Sequence, residues 1–206
     1  MLLEIHPVNP QEKYINQIVE SLNQGGVVVF PTDTVYAIGC SLYQHKAVER
    51  IARIKGIKPE KAKFSILTDG LSNLSEFTRP INNHIFRLMK KVLPGPYTFI
   101  LPASSKVPGI FESKKKTIGF RVPDNLILQM IISKLGHPLV STSLHSDDDD
   151  YLEYVVNAEL IYEKYENLVD FVIDGGPGTI EPSTVLDCTS DDVEIIREGK
   201  GPVDML

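Results

Sequence analysis

The chain has 206 residues, of which 42% are apolar and 23% charged, with a mean hydropathy of −0.05 and a net charge of −6. That composition belongs to a soluble globular chain with material for one sizeable core, and a single domain over residues 1–206 is expected. No membrane span is expected, since no apolar run approaches roughly 18 residues, and no secretory leader is expected, since Met1 to Phe30 carries polar and charged positions throughout.

The elements follow in chain order from periodicity and turn residues. Asn9 to Asn23 places Tyr14, Ile15, Ile18, Val19 and Leu22 at helical spacing, with Asn9 as N-cap, Pro10 at the first helical position and Gly25 as a stop, so a helix opens the chain. Gly26 to Phe30 reads as a buried strand closed by Pro31. Lys46 to Lys55 predicts a helix, Phe64 to Thr68 a strand, and Leu71 to Phe77 and Asn82 to Val92 two further helices, the second ended by Pro94-Gly95-Pro96. Tyr97 to Leu101 and Thr117 to Val122 are strand-like. Asn125 to Leu135 is a helix stopped by Gly136, Leu139 to Ser143 a strand, and Ala158 to Tyr165 a helix. Val169 to Asp174, Ser183 to Asp187 and Val193 to Glu198 complete a mixed α/β pattern.

Charge is distributed unevenly. Residues 1–143 hold an excess of Lys and Arg, concentrated in 50–63 and 87–121, whereas residues 144–206 hold an excess of Asp and Glu. The basic part attracts anions if its clusters border a pocket, and is a solvated face if they do not. The Asp147–Asp150 run repels itself and reads as a solvated loop. Cys40 and Cys188 stand far apart without a CxxC pair, and the histidines His6, His45, His84, His137 and His145 are scattered. Neither a disulfide framework nor a zinc site is indicated, and a reducing cytoplasm is the expected compartment.

Phosphate-loop, dinucleotide, nucleophile-elbow and metalloprotease motifs are absent. What recurs is an apolar strand running into hydroxyls: Val27 to Phe30 into Thr32-Asp33-Thr34, Leu139-Val140 into Ser141-Thr142-Ser143, and Phe171 to Ile173 into a glycine-rich turn followed by Pro182-Ser183-Thr184. Such strand ends serve as caps and turns, and several together form a polar ligand pocket in an open α/β sheet. Arg121 and Arg197 each close an apolar strand, a placement that suits carboxylate or phosphate recognition.

Six blocks in order, 31–39 (PTDTVYAIG), 93–101 (LPGPYTFIL), 117–123 (TIGFRVP), 138–143 (PLVSTS), 182–187 (PSTVLD) and 196–199 (IREG), resemble the YrdC-like proteins over nearly the whole chain. The resemblance implies a twisted, largely open mixed α/β sheet flanked by helices, with a concave basic groove. It also implies threonylcarbamoyl-AMP synthase chemistry. L-threonine, bicarbonate and ATP give threonylcarbamoyl-AMP and pyrophosphate, feeding threonylcarbamoyladenosine modification of tRNA. Carried over by position, Thr32, Arg121, Ser141 and Ser183 hold threonine, and Lys55, Thr117, Ser143 and Arg197 hold the nucleotide, with Tyr36, Lys58 and Thr184 as additional candidates. Mg²⁺ arrives with ATP as substrate, and no dedicated protein metal site is expected.

Two positions depart from the synthase pattern. Leu144-His145 stands where the synthases typically carry Ala-Asn, and Ile57 stands where an arginine is usual. Both resemble the YciO branch. The alternative reading is a relative with weak or no synthase activity that binds tRNA or double-stranded RNA, or handles an acyl-adenylate. An aromatic content of 8% without tryptophan gives a base-stacking platform little material.

Overall fold

In the computed structural model, residues 1–58, 62–109, 116–144 and 156–204 are described. His145 and the Asp147–Asp150 run lie outside them. The elements in order are β1 (Leu2–Glu4), α1 (Glu12–Asn23), β2 (Val28–Phe30), β3 (Ala37–Ser41), α2 (His45–Ile54) and β4 (Ser65–Leu67). There follow α3 (Leu74–Phe77), α4 (Asn83–Val92), β5 (Tyr97–Pro102), β6 (Thr117–Arg121), α5 (Leu126–Leu135) and β7 (Leu139–Ser143). The last are α6 (Ala158–Tyr165), β8 (Phe171–Asp174), β9 (Thr184–Asp187) and β10 (Glu194–Arg197). All strands join one ten-stranded open sheet, β1-β8-β2-β3-β7-β4-β6-β5-β9-β10, with parallel and antiparallel pairs.

Local chemistry explains the helices. Ile15, Ile18 and Leu22 form the buried stripe of α1. The Asn125 side chain accepts from Leu128 N to start α5, and Gly136, at φ 75°, adopts the left-handed conformation that ends it. Asn157 caps α6 in the same way, accepting from Glu159 N and Leu160 N. Each buried aliphatic side chain on these stripes contributes about 1.5–3 kcal/mol.

The structure corrects the sequence reading in three places. A strand opens the chain, because β1 pairs in parallel with β8, a partner some 170 residues away in the numbering (Leu2 with Val172). The first helix begins at Glu12 with Gln11 at its N-cap, so Asn9 and Pro10 precede it. β3 escaped periodicity because all five of its residues are buried, which removes the polar alternation of a half-exposed strand. Ser141, Thr142 and Ser143 lie inside β7, paired with β3, as the strand expected over Leu139 to Ser143 requires.

Three core clusters divide the two faces. One packs α2 and α6 against Val29, Ile38, Cys40, Ile66 and Val140; another packs α1 and α5 against Val28, Phe30, Leu67, Leu139 and Ile173. The third packs α4 against Phe99, Leu101, Phe120 and Leu186. Among the described residues no helix is long and apolar enough to cross a membrane.

Candidate functional site

Strand register assembles the site. Gly39, Ser141, Ser65, Gly119, Ile100 and Asp187 are successive partners across β3, β7, β4, β6, β5 and β9. Partners in register project to one face, and so do residues two along each strand, so Ser143, Thr117, Arg121 and Thr98 share this face. The neighbouring row, Cys40, Val140, Ile66, Phe120, Phe99 and Leu186, projects to the opposite face and is wholly buried in the core. One side of this half of the sheet is therefore apolar, while the other carries the hydroxyls of Ser141, Ser65, Ser143, Thr117 and Thr98 beside Leu67 and Leu139, which pack under α1 and α5. Gly119 permits the arrangement, since a Cβ there would stand 2.4 Å from Ser65 Oγ.

The polar face has two ends. Thr117 and Arg121, at opposite ends of β6, lie about 13 Å apart at about 3.3 Å per residue. At the first end, Lys55, the C-cap of α2, donates from Nζ to the carbonyls of Ser143 (3.1 Å) and Leu144 (2.9 Å). Thr117 is half-buried on β6, and Ser143 on β7, the register partner of Ala37, is exposed. Lys58 is exposed beyond the helix.

At the second end Arg121 is the centre. Its Nη2 donates to Asp33 Oδ1 at 2.6 Å and to Thr34 Oγ1 at 3.2 Å, and both partners of the ion pair keep 10% or less of their side chain exposed. Burial lowers the Arg121 pKa, the Asp33 carboxylate opposes that shift, and the charge of Arg197 adds to it. Arg197 therefore lies close enough for its field to be felt at Arg121. Its Nε and Nη2 donate to Ser183 O at 3.2 and 2.8 Å, and Ser183 Oγ shares a 2.8 Å hydrogen bond with Thr98 Oγ1. Thr32 Oγ1 donates to Val35 O (2.8 Å) and accepts from Thr34 N (2.9 Å), which folds the 32–35 turn that presents Asp33.

The structure thus gathers Thr32, Arg121, Ser183 and Arg197 at one end, and Lys55, Thr117 and Ser143 at the other, with Ser141 buried between them. The resemblance had grouped Arg197 with the second set, whereas its hydrogen bonds go to Ser183. Tyr36 and Thr184 are fully buried with their hydroxyls already engaged. Tyr36 donates to Gly176 O at 2.7 Å, and Thr184 donates to Gly201 O at 2.6 Å while accepting from Gly199 N at 3.0 Å. They shape the walls instead of facing a ligand. Burial pushes the Tyr36 pKa up to about 12.

Asp33, Thr34, Thr98 and Lys200 were not singled out from the sequence. Asp33 and Thr34 lie inside the first quoted block, where an acid between two threonines was the available signal. Thr98 lies inside the second quoted block, but its role comes from strand register, and Lys200 carried no signal because its role comes from a long-range contact of its Nζ with Asp33 O.

Comparison with known proteins places this geometry in a family. The Sua5/YciO/YrdC family model, described as "Telomere recombination", matches residues 20–199. The protein YciO of Escherichia coli, strain K12, is 44% identical over 200 residues, which covers 97% of this chain and 95% of that protein. Its crystal structure superposes with a TM-score of 0.91. A threonylcarbamoyl-AMP synthase of Coxiella burnetii is 27% identical over 180 residues, covering 87% of this chain and 95% of the synthase. P. abyssi Sua5, solved in complex with L-threonine, superposes with a TM-score of 0.90 at 26% identity over 99% of this chain and 59% of its own. A family model over most of the chain and a relative at 44% identity across nearly all of it show the family: the chain belongs to the Sua5/YciO/YrdC family.

Proposed function

We propose that this chain is a nucleotidyltransferase of the threonylcarbamoyl-AMP synthase type. The observation that carries the reading is the pairing of a buried arginine and two hydroxyl groups at one end of a polar sheet face with a lysine and further hydroxyls about 13 Å away. That span suits an amino acid joined to a nucleotide. Arg121 with Thr32 and Ser183 receives L-threonine, and Lys55, Thr117 and Ser143 receive the nucleotide, which enters as MgATP. Arg197, bonded to Ser183, stands on the threonine side of the reacting centre.

The threonine amine takes up carbon dioxide equivalent from bicarbonate, with loss of water, to give a carbamate. A carbamate oxygen then attacks the α-phosphorus, the bond from that phosphorus to the bridging oxygen of the β-phosphate breaks, and pyrophosphate leaves. Charge that builds on the phosphate oxygens is met by fixed cations already in place, which is the main contribution a protein makes to such a transfer. The named synthases among its relatives and the L-threonine complex of P. abyssi Sua5 support this assignment.

A second reading has two observations in its favour. Leu144, where the synthase pattern has a small residue, is buried in the core at 1% exposure, and the close relatives at 44% identity are YciO proteins. In that reading the pocket binds or degrades an acyl-adenylate, or the surface binds RNA, with little synthesis. Pyrophosphate release with ATP, Mg²⁺, bicarbonate and L-threonine, read against serine and no-amino-acid controls with chromatography of the nucleotides, separates the two. Threonine-dependent pyrophosphate with a new adenylate peak supports the synthase. Folded, ATP-binding protein without turnover favours the second reading, and RNA binding across a salt series follows.

A further inference from the structure

The sheet ends at β10, which pairs with β9 and, among the described residues, with no other strand, so one row of its backbone N–H and C=O groups faces outward. Ile195 and Ile196 are 43% and 51% exposed, two adjacent apolar side chains on an edge of the kind that soluble proteins blunt with charge. Ile195, the register partner of Leu186, projects to the side of the sheet that α4 covers, where Val193 packs with Leu186, Ile85 and Met89. Phe86 of α4, 38% exposed, is turned to the same edge: its N–H donates to Asn82 O, and the Asn82 side chain donates to Asp191, in the connection that leads into β10.

The register shift gives this edge a pattern that matches its own reverse. Asp187, Leu186 and Val185 of β9 meet Glu194, Ile195 and Arg197, so Ile196 is the extra residue of a bulge. Counted in register, Ile195 is the midpoint, with an acid one position before it and a base one position after it. A two-fold axis perpendicular to the sheet through Ile195 sets it against Ile195 of a second copy and brings Glu194 of each copy opposite Arg197 of the other. A parallel copy in register would instead oppose acid to acid and base to base. The pairing asks of Arg197 only its charge, so its hydrogen bonds to Ser183 stand.

We infer that β10 is a self-association edge, through which two copies of this chain join antiparallel and make one continuous sheet, with the two Ile195 side chains at the centre and Phe86 of each copy flanking them. The inference does not rest on the proposed function, since it uses no ligand. The acid–base pairs are at the surface and set direction and register more than strength. A contact of four residues a side is smaller than a standard interface of about 1,200 Å² or more, so the dimer is weak and grows with concentration.

The test is sedimentation velocity of the full chain from micromolar to near-millimolar concentration, for wild type, Ile195→Arg and Glu194→Arg, each checked for an unchanged melting transition. Both substituted side chains are exposed, so the fold is expected to persist. Wild type should pass from monomer to dimer as concentration rises. Ile195→Arg, which places two like charges on the axis, should raise the dissociation constant about tenfold or more. Glu194→Arg, which opposes base to base at both ends of the pairing, should raise it several-fold, and the amides of β10 should exchange more slowly as wild type is concentrated. Wild type that stays monomeric throughout overturns the inference, and so does a dimer that survives Ile195→Arg unchanged, which would have formed through another surface. An unchanged dissociation constant in Glu194→Arg overturns the antiparallel register, and growth beyond the dimer overturns the closed two-fold arrangement.

Discussion

Asp33 and Arg121, 88 positions apart in the chain, meet at 2.6 Å with their side chains almost entirely withdrawn from solvent. Asp33 Oδ2 and Arg121 Nε are buried without a hydrogen-bond partner among the described residues. Removing one member leaves the other as an uncompensated buried charge, so Asp33→Ala is expected to destabilise the protein by about 3–5 kcal/mol. Urea denaturation monitored by circular dichroism measures it. A loss below about 1 kcal/mol would mean that water reaches the pair and that Asp33 does not hold Arg121 in place.

The two ends of the polar face should separate by ligand. Arg121→Lys keeps a charge opposite Asp33 but loses the planar fork, and is expected to weaken threonine about tenfold or more with a smaller effect on ATP. Lys55→Ala is expected to do the reverse. Calorimetry with each ligand decides, and equal losses in both variants would remove the division between a threonine end and a nucleotide end.

Gly119 offers a packing test inside the site. An added methyl would sit 2.4 Å from Ser65 Oγ and 3.2 Å from Ser65 Cβ, with Phe64 O at 3.3 Å. Gly119→Ala should cost about 1–3 kcal/mol. In a double-mutant cycle Ser65→Ala should recover part of that loss, because the nearest clashing atom goes while the next two remain. Additive losses would show that the strand shifts as a whole.

The alkaline limb of stability follows from burial. Desolvation raises the pKa values of Tyr36, Cys40 and Cys188 to about 12, above their ordinary values of 10.0, 9.0 and 9.0. For a group whose folded pKa is raised, stability is complete below the unfolded pKa and is lost as pH rises toward the folded one. Melting temperature should therefore fall between about pH 9 and 12. Tyr36→Phe should flatten the part of the fall above about pH 10, a difference on the order of 2 kcal/mol at its largest. In native protein both thiols should resist alkylation at pH 8 and react once the chain is unfolded, since both are buried. Rapid native labelling would show that their strands open locally.

Much of the fold was legible because helices write their burial into one stretch of sequence. The span Leu139–Ser143 and the span Ala158–Tyr165 were read as they stand, and the α5 caps at Asn125 and Gly136 were visible as residue types. β1 and β3 were not, for opposite physical reasons. β1 is too short to carry a pattern and exists through its partner β8, while β3 is buried on both faces and shows no alternation. The site divides the same way. Arg121 and Arg197 announced themselves as charges ending apolar strands, but nothing local told that Tyr36 and Thr184 would have their hydroxyls engaged internally, or that Lys200 would reach back to a carbonyl 167 positions earlier.

Arg197 occupies the outermost strand of the sheet, and all four residues of β10 are exposed, with a register shift between Ile195 and Arg197. Edge segments with few buried contacts open at far lower free energy than the centre of a sheet. The site is therefore graded in time: Arg121, clamped inside, persists for as long as the molecule is folded, while Arg197 samples release whenever the edge frays. Amide hydrogen exchange would register this as fast exchange along β10 that slows when an anion binds, with the amides of β6 unchanged. A ligand that bridges the two arginines thus acts as the missing neighbour of the last strand, and occupancy of the site and order at that edge of the sheet rise together.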